Sequence, residues 1–375
     1  MTAFGKAASA TSRVQAEERP GPRTPSRSWD QNARARHNRD SAIDWNTVGM
    51  PVTRVAVVGV SHWHAPLYLA ALERAGAVVV AVTDRNALLA AAVADRLGAV
   101  SGDDIEALLE RVQPDLAIIL GAHADMADAA LVVARLGVPL VLEKPGALSM
   151  SELSRAHVQL AGHAVAVPLV HRLAPFAREI GAAGPLTHLT ISYLVGPPER
   201  YPAAGCDWML DPASGGGVLA NLGAHFADLV LHLGGQAVDV VARVSHARHG
   251  LAIEDHAVMV ILTESGLTAT IDLGYLYPDA PDKRHVSIVA TGSAGAVSIG
   301  PEGVARRTHT DGSVTRRQLE VDSDPLFGAF VERAVRSWRQ GFPGLPGMHE
   351  LVEAMAVVDA AYRAAGGTGE QAWAM

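Results

Sequence analysis

Four short apolar runs alternate with Ala- and Leu-rich stretches over residues 54–142, and this alternation constrains the fold more than any other feature of the chain. The runs cover residues 54–60, 78–83, 116–120 and 138–142. Apolar runs of this length are typical of parallel strands that are buried on both faces. Because the stretches between them carry apolar residues at helical spacing, the connections require right-handed crossovers and a parallel sheet. We therefore predict a doubly wound α/β domain of the Rossmann type.

The loop after the first run is similar to the G-x-G-x-x-G/A fingerprint of dinucleotide-binding folds. Gly59 and Ala65 supply small residues, and Ser61 stands in the place of the second glycine. A helix that begins behind such a loop offers free N–H groups and a positive dipole to a pyrophosphate. In open parallel sheets, ligands bind outside the carboxyl ends of the strands. We therefore expect a nicotinamide dinucleotide at this edge of the sheet.

Asp84 ends the second run, at the position from which a carboxylate accepts hydrogen bonds from the adenosine ribose hydroxyls, and this favours NAD. Arg85 suits a 2′-phosphate, so NADP stays open. An alternative role for Asp84 is to cap the helix predicted over residues 85–97. The residues predicted to bind the cofactor all lie at strand ends, and they are Gly59, Ser61, His62, His64, Ala65, Asp84, Arg85, Gly121, Ala122, His123, Glu143, Lys144 and Pro145.

Length, charge and cysteine content limit the classes of protein to which the chain can belong. The chain has 375 residues, which suits two domains, and its formal net charge of −8 argues against a nucleic-acid partner. The single cysteine, Cys206, excludes a disulfide within the chain and a Cys-based zinc site. No run approaches the ~20 apolar residues of a membrane span. We expect a cytoplasmic enzyme whose partner is a small-molecule substrate, not a membrane.

Residues 1–51 differ from the rest, since they are rich in charged residues and have no hydrophobic periodicity. This composition predicts a disordered tail or a start of translation assigned too early, with Met50 as the other candidate start. The predicted organisation is this tail, a dinucleotide-binding domain over residues 52–146, and a second domain over residues 147–375 that binds substrate and ends in helices.

Two motifs identify a family. Glu143-Lys144-Pro145 follows the last run, and residues 215–228 read GGGVLANLGAHFAD. Both resemble the Gfo/Idh/MocA family, the relatives of glucose–fructose oxidoreductase and inositol dehydrogenase, whose second pattern is G-G-G-x-L-x-D-x-G-x-H-x-x-D. The resemblance implies a second, α+β domain with an open antiparallel sheet through which subunits form a homo-oligomer, a dimer or tetramer. Strand-like runs agree with such a sheet, at residues 186–193, 238–246, 256–262, 268–276 and 285–290, and closing helices are predicted at residues 327–340 and 349–364.

The same resemblance implies that Lys144 hydrogen-bonds the reacting substrate oxygen and that His225 is the general acid/base. A histidine accepts a proton near neutral pH, and an ammonium group stabilises a developing alkoxide. The implied activity is NAD(P)-dependent hydride transfer between nicotinamide and a hydroxyl or carbonyl group of a sugar, cyclitol or small polyol. Two alternatives stay open: a redox-neutral lyase or hydrolase that uses transient oxidation, and a non-catalytic NAD(P)-binding scaffold.

The chain departs from the family pattern at Asn221, where the pattern has aspartate. Asn221 lies four residues before His225 on a predicted helix, so the two share a face. A neutral amide does not favour the imidazolium as a carboxylate does. We therefore expect a neutral His225, and we expect Asn221→Asp to move the acidic limb of the pH–rate profile.

The remaining predictions concern the pocket. Its substrate-binding residues are predicted to be Asn221, Arg172, Trp208 and Tyr275. Five histidines map to loops or element ends that face the same cleft, His62, His64, His123, His171 and His225. A histidine-lined metal site is one interpretation, but no carboxylate lies at a spacing that supports it, so no metal is predicted.

Overall fold

The computed structural model describes residues 51–279 and 284–366. Residues 1–50 of the predicted tail lie outside the described residues. In the described ranges, no helix is long and apolar enough to cross a membrane.

The first sheet has six parallel strands in the order β3-β2-β1-β4-β5-β6. Its strands are β1 (Arg54–Val58), β2 (Val78–Thr83), β3 (Val100–Ser101), β4 (Leu116–Ile119), β5 (Leu140–Leu142) and β6 (Val165–Ala166). The connecting helices are α1 (Ala65–Arg74), α2 (Ala87–Leu97), α3 (Ile105–Val112), α4 (His123–Arg135) and α5 (Met150–Gln159). This confirms the predicted doubly wound domain.

The sheet buries both faces because its side chains alternate between two apolar clusters. Val55 and Val57 of β1 pack with α1 and α2, whereas Ala56 and Val58 pack in the other cluster, with α3 and α4. A strand covered on both sides in this way reads as one continuous apolar run.

The parallel sheet extends past the boundary predicted at residue 146, because β6 pairs with β5. Strand β3 does not appear in the sequence analysis, since it has two residues, too few to show a hydrophobic pattern.

The second sheet is mixed and mostly antiparallel, with eight strands in the order β14-β13-β12-β11-β7-β10-β9-β8. They are β7 (Leu186–Val195), β8 (Ala237–Ser245), β9 (His256–Thr263), β10 (Thr268–Gly274), β11 (Arg284–Gly292), β12 (Gly295–Ile299), β13 (Val304–His309) and β14 (Val314–Gln318). The pair β7–β10 is parallel and the others are antiparallel. The five predicted runs are the strands β7 to β11, and the sheet adds three strands that the sequence analysis did not predict.

The helices of this part are α6 (Pro175–Gly181), α7 (Arg200–Ala203), α8 (Val218–Gly234), α9 (Asp324–Ser337) and α10 (Met348–Ala364). Helix α8 carries the second motif and is almost entirely buried. Helix α9 returns to the first sheet and packs on α1, with an ion pair between Arg74 and Glu332 at 3.0 Å. The predicted closing helices are thus confirmed.

A buried carboxylate holds the N-terminus of α8 in place. Glu254 Oε1 accepts hydrogen bonds from the Leu219 N–H at 2.9 Å and from the Tyr362 hydroxyl at 2.7 Å. A Cβ atom on Gly217 would lie 2.4 Å from both oxygens of this carboxylate. Glycine is therefore needed at position 217, because it lets Glu254 come close to the start of α8. There the carboxylate accepts a hydrogen bond from an N–H group that a helix leaves free at its N-terminus.

The first sheet requires glycine at position 59, because there is no room there for a side chain. Its φ is +84°, and a Cβ atom there would lie 2.4 Å from the backbone nitrogen of Gly121. We predict that Gly59→Ala destabilises the fold by well over the ~1–2 kcal/mol that the left-handed conformation alone costs. Gly98→Ala is the matched control, because Gly98 has a φ of +66° but a Cβ atom there would meet nothing within 4 Å.

Urea unfolding of the two variants measures the difference. Equal losses of unfolding free energy would show that the contact between Gly59 and Gly121 carries no cost of its own.

Candidate active site

A cleft of about 900 Å³ opens at the carboxyl ends of β1 and β5. The loop after β1, the residue after Glu143, helix α8, the end of β7 and the start of α9 all contribute to its wall. Its lining includes Trp63, His64, Lys144, His171, Tyr193, Arg200, Tyr201, Asn221, His225, Arg284 and Phe327. The two residues predicted to be catalytic therefore face the same space.

Lys144 is fully enclosed, with 1% of its surface exposed. Its Nζ atom donates to the backbone oxygen and to the side-chain Oδ1 of Asn221, both at 2.8 Å. Burial lowers the pKa of Lys144 to about 8, although the nearby Glu143 carboxylate opposes the shift. The peptide bond from Lys144 to Pro145 is cis. The ammonium group makes two hydrogen bonds to neutral oxygens and keeps a third N–H.

Asn221 orients this lysine rather than His225. Its Oδ1 accepts from Lys144, and its Nδ2 donates to the hydroxyls of Tyr201 at 2.6 Å and Tyr275 at 3.1 Å. All the polar atoms of the amide are therefore used. Asn221 shares the helix with His225, but its hydrogen bonds go to Lys144, Tyr201 and Tyr275, so the expected coupling to His225 stays a prediction that these contacts do not support.

His225 lines the cleft and is otherwise buried. Its ring lies 4.9 Å from the ring of His171 and 5.8 Å from that of Phe327. Its Nδ1 atom has no hydrogen-bond partner among the described residues. Burial lowers the pKa of His225 well below its ordinary value, and the neighbouring His171 and Lys144 act in the same direction. The imidazole is thus neutral at physiological pH, as the sequence analysis expects.

Asp84 joins two loops. Its carboxylate accepts hydrogen bonds from the Ser61 N–H at 2.7 Å and from the Asn86 N–H at 2.8 Å. The cap of α2 is Asn86, whose side chain accepts from the Leu89 N–H at 3.1 Å. The alternative role of Asp84 as the cap is therefore wrong.

Arg85 forms an ion pair with Asp125 in the first turn of α4. Its guanidinium already has an anionic partner, and this partner competes with a 2′-phosphate.

The loop after β1 carries the aromatic and imidazole side chains of residues 62–64 in the region of the glycine-rich dinucleotide fingerprint. His62 stacks on Trp63, with ring centroids 3.8 Å apart, and Trp63 lies 5.7 Å from Trp208. His64 Nδ1 contacts Glu143 Oε1 at 2.6 Å, and the backbone N–H of Lys144 donates to Glu143 Oε2 at 2.7 Å. This loop is therefore tied to the end of β5.

The other predicted cofactor-binding residues lie on the two neighbouring loops. The backbone of Gly121 packs directly against Gly59. Ala122 precedes α4 as its N-cap, and Ala65 is the first residue of α1. His123 is buried with its ring 4.7 Å from that of Trp208. The strand ends bring all these residues to one edge of the sheet, as predicted.

Three of the four predicted substrate-binding residues do not line the cleft; only Asn221 does. Arg172 makes a two-pronged ion pair with the buried Asp228 of α8. Tyr275 lies behind Asn221 and is wholly buried, and Trp208 packs on the aromatic loop. Each of these side chains is occupied by a structural contact that its sequence position does not reveal.

The cleft is also lined by Tyr201, Tyr193 and Arg284, which were not predicted from the sequence. Tyr201 accepts from both Asn221 and Arg200, the latter at 2.9 Å. Arg284 donates to the Tyr193 hydroxyl at 2.6 Å and pairs with Asp322 at 2.8 Å. The only signal for Tyr201 is an aromatic residue in a Pro- and Gly-rich segment just before the second motif.

The residues at this edge suit a dinucleotide. Asp84 accepts one backbone N–H on each oxygen, and a carboxylate oxygen accepts more than one hydrogen bond. The sheet places it at the end of β2, next to the loop that begins at Gly59. Its two neutral backbone partners leave it free to hold a ribose hydroxyl.

Solved structures with this fold extend over most of the chain. An oxidoreductase from Agrobacterium radiobacter, in complex with NAD+, L-tartaric acid and magnesium, aligns with a TM-score of 0.74 at 19% identity, over 84% of this chain and 97% of that one. UDP-N-acetylglucosamine 3-dehydrogenase from Acidithiobacillus ferrooxidans aligns with 0.68 at 20% identity, over 87% and 100%. Levoglucosan dehydrogenase in complex with NADH and levoglucosan aligns with 0.72 at 16% identity, over 84% and 98%. These similarities establish the fold.

Sequence comparison establishes the family. No curated protein matches the chain. A model of the oxidoreductase family with an NAD-binding Rossmann fold matches residues 53–169, and a model of the GFO/IDH/MocA C-terminal domain matches residues 177–298. The two models together span more than half of the sequence and lie in the order that the two motifs require. The chain belongs to the Gfo/Idh/MocA family of NAD-binding oxidoreductases.

Proposed function

We propose that the protein is an NAD-dependent dehydrogenase of a small polyhydroxylated compound, such as a sugar, a cyclitol or a related polyol. The observation that carries this proposal is that Lys144 and His225 line one cleft, beside the edge of the sheet where the residues predicted to bind the dinucleotide lie. When bound, NAD supplies the hydride acceptor, and the side chains of the cleft handle the oxygen and its proton.

Lys144 orients the reacting oxygen. Because Asn221 takes two of its N–H groups, the third is directed by a rigid support rather than by a flexible side chain. A fixed donor in a site that excludes water stabilises negative charge on oxygen as it develops. The role requires the charged amine, which predominates below the lowered pKa of about 8.

His225 accepts the hydroxyl proton. Its lowered pKa keeps the imidazole neutral, which is the form that a general base needs before the reaction. The proton leaves the substrate oxygen for the imidazole as the oxygen becomes a carbonyl, so the positive charge of Lys144 is not lost in the step.

The character of the lining supports a polyhydroxylated substrate. The cleft presents the hydroxyl of Tyr201, the guanidinium of Arg200 and the carboxylates of Glu199 and Asp279. Such a mixture of donors and acceptors matches several hydroxyl groups on one small molecule. Two of the structures with the same fold hold L-tartaric acid and levoglucosan, which are compounds of this kind.

We also infer NAD rather than NADP, and a homo-oligomer. Asp84 repels a 2′-phosphate, and Asp125 occupies Arg85. For the oligomer, the pairing of β8, β9, β10, β7 and β11 places five β-branched residues in one row across the sheet, Val241, Val260, Thr270, Thr190 and Val289. Val241 and Val289 are 50% and 41% exposed, so this row offers an apolar surface to a second copy.

The activity is tested with polyols and NAD by following NADH formation. Lys144→Met and His225→Asn are each expected to lower kcat/KM by about 10²–10⁴, because each removes a group that acts on the reacting oxygen. His232→Asn, on the same helix but exposed, is the control and should keep full activity.

Turnover of a substrate with no net NADH would instead favour the redox-neutral lyase or hydrolase. Absence of turnover together with tight NAD binding, across a broad set of polyols, would favour the scaffold.

Asn221→Asp should change the alkaline side of the pH–rate profile. A carboxylate 2.8 Å from Nζ would favour the ammonium form and raise the pKa of Lys144. Since activity is present below this pKa and is lost as pH rises through it, the limb near pH 8 should move to higher pH. Asn221→Ser, which adds no charge, should not move it upward. A shift of the acidic limb alone would mean that residue 221 acts through His225 after all.

Asp84→Asn should narrow the preference for NAD over NADP. The amide keeps an oxygen for a backbone N–H but removes the negative charge that opposes a 2′-phosphate. Calorimetric titration of both cofactors measures the ratio of their dissociation constants. Asp125→Asn, which frees Arg85, should move the ratio in the same direction, and an unchanged ratio in both variants would contradict the assignment of the adenosine end.

A further inference from the structure

Three side chains of metal-ligating types meet at the edge of the first sheet, among the residues that are predicted to bind the cofactor. One ligand atom from each of His62, His64 and Glu143 lies within 4.8 Å of the other two. We propose that these side chains form a binding site for a divalent transition-metal ion of the Zn²⁺ type. No metal is predicted from the sequence because no carboxylate lies at a supporting distance along the chain, whereas the fold brings Glu143 to His64 across 79 positions.

The donor set suits such an ion. Two imidazoles and one carboxylate are the protein ligands of open zinc sites and of mononuclear iron sites. The ring of His62 is buried and stacks on Trp63 with ring centroids 3.8 Å apart, so its orientation is fixed. His62 and His64 belong to one short loop, and Glu143 follows a buried strand, so the backbone positions of all three are well defined.

Glu143 is already oriented for the task. Its Oε2 is held by the backbone N–H of Lys144 at 2.7 Å, which leaves Oε1 directed at His64 Nδ1, 2.6 Å away. The hydroxyl of Tyr68 supports Oε1 at 3.3 Å. Hydrogen bonds of this kind to a ligating carboxylate are the usual support around a metal site. A contact of 2.6 Å between Nδ1 and Oε1 requires a proton between them, and a metal with bonds of about 2.0–2.2 Å would replace this proton as the pair opens slightly.

His62 supplies an unsatisfied nitrogen. Its Nδ1 accepts the His64 N–H at 3.1 Å, and its Nε2 is buried with no partner among the described residues. A buried ring nitrogen without a partner is unusual and calls for an explanation. Whichever ring nitrogen takes the ion, a neutral His62 no longer accepts the His64 N–H, so this contact opens on binding.

His64 lines the cleft next to Trp63 and Lys144, whereas His62 and Glu143 are buried behind it, so an ion held by all three would lie at the wall of the cleft. Three protein ligands with an open position are typical of metal sites that bind water or a substrate oxygen. The positive charge of Lys144 repels the metal ion, but the ammonium group is held by its hydrogen bonds to the two oxygens of Asn221.

The test uses the untagged full chain, freed of metal with a chelator and titrated with Zn²⁺ by calorimetry. One ion per chain is expected. His62→Ala, His64→Ala and Glu143→Gln should each weaken Zn²⁺ binding at least ~10-fold, because even the loss of a residue that only supports a ligand typically costs this much affinity. His171→Ala is the matched control, a buried histidine of the same cleft that is outside the three. Neither cofactor nor substrate is present, so the outcome is independent of the proposed dehydrogenase activity.

The proposal would be overturned if the unaltered chain did not bind one Zn²⁺ ion. It would also be overturned if His171→Ala weakened Zn²⁺ binding as much as the three ligand variants do. Glu143 is buried, and its variant is informative only if circular dichroism shows a folded chain. A measurement without any variant covers this case: Co²⁺ bound to the unaltered chain should show the visible absorption of a four- or five-coordinate ion. The weak spectrum of six-coordinate, hydrated Co²⁺ would reject the site.

Discussion

The hydrogen bonds between Lys144 and Asn221 connect the two halves of the described chain, and the arrangement of the cleft depends on them. Lys144 follows a strand of the first sheet, and Asn221 lies in the first turns of α8, which packs on the second sheet. Burying an ammonium group without a carboxylate partner is costly. Two neutral oxygens at 2.8 Å reduce this cost without cancelling it, which is why the pKa of the amine falls to about 8.

Helix α8 can present Asn221 and His225 accurately because its own N-terminus is held by Glu254. The carboxylate accepts from the Leu219 N–H, and the Tyr362 hydroxyl joins it from α10. Further along the helix, Asp228 binds Arg172. The helix is therefore anchored by buried ionic or polar groups before and after the residues of the site. Supporting contacts of this type keep a reactive group within the small tolerance that catalysis requires.

His171 and His225, two histidines of the cleft, lie in a setting that keeps them neutral. His171, with a pKa lowered to about 3, and His225 are both buried, and Lys144 adds a positive charge nearby. Burial and a neighbouring cation both disfavour the imidazolium form. A neutral imidazole is a base, so this electrostatic setting suits His225 to the proposed role of proton acceptor.

Local patterns in the sequence determined the strands and helices of the first domain, the need for glycine at position 59, the two family motifs and the residues at the strand ends. These follow from periodicity and backbone geometry, which act over a few residues. The tertiary structure alone decided the partners: Asn221 bonds Lys144 instead of its helix neighbour His225, Arg172 turns to Asp228, and Glu143 meets His64. The two members of each of these pairs lie 56–79 positions apart. Their meeting depends on how sheets and helices pack, and no local pattern encodes a distance across that packing.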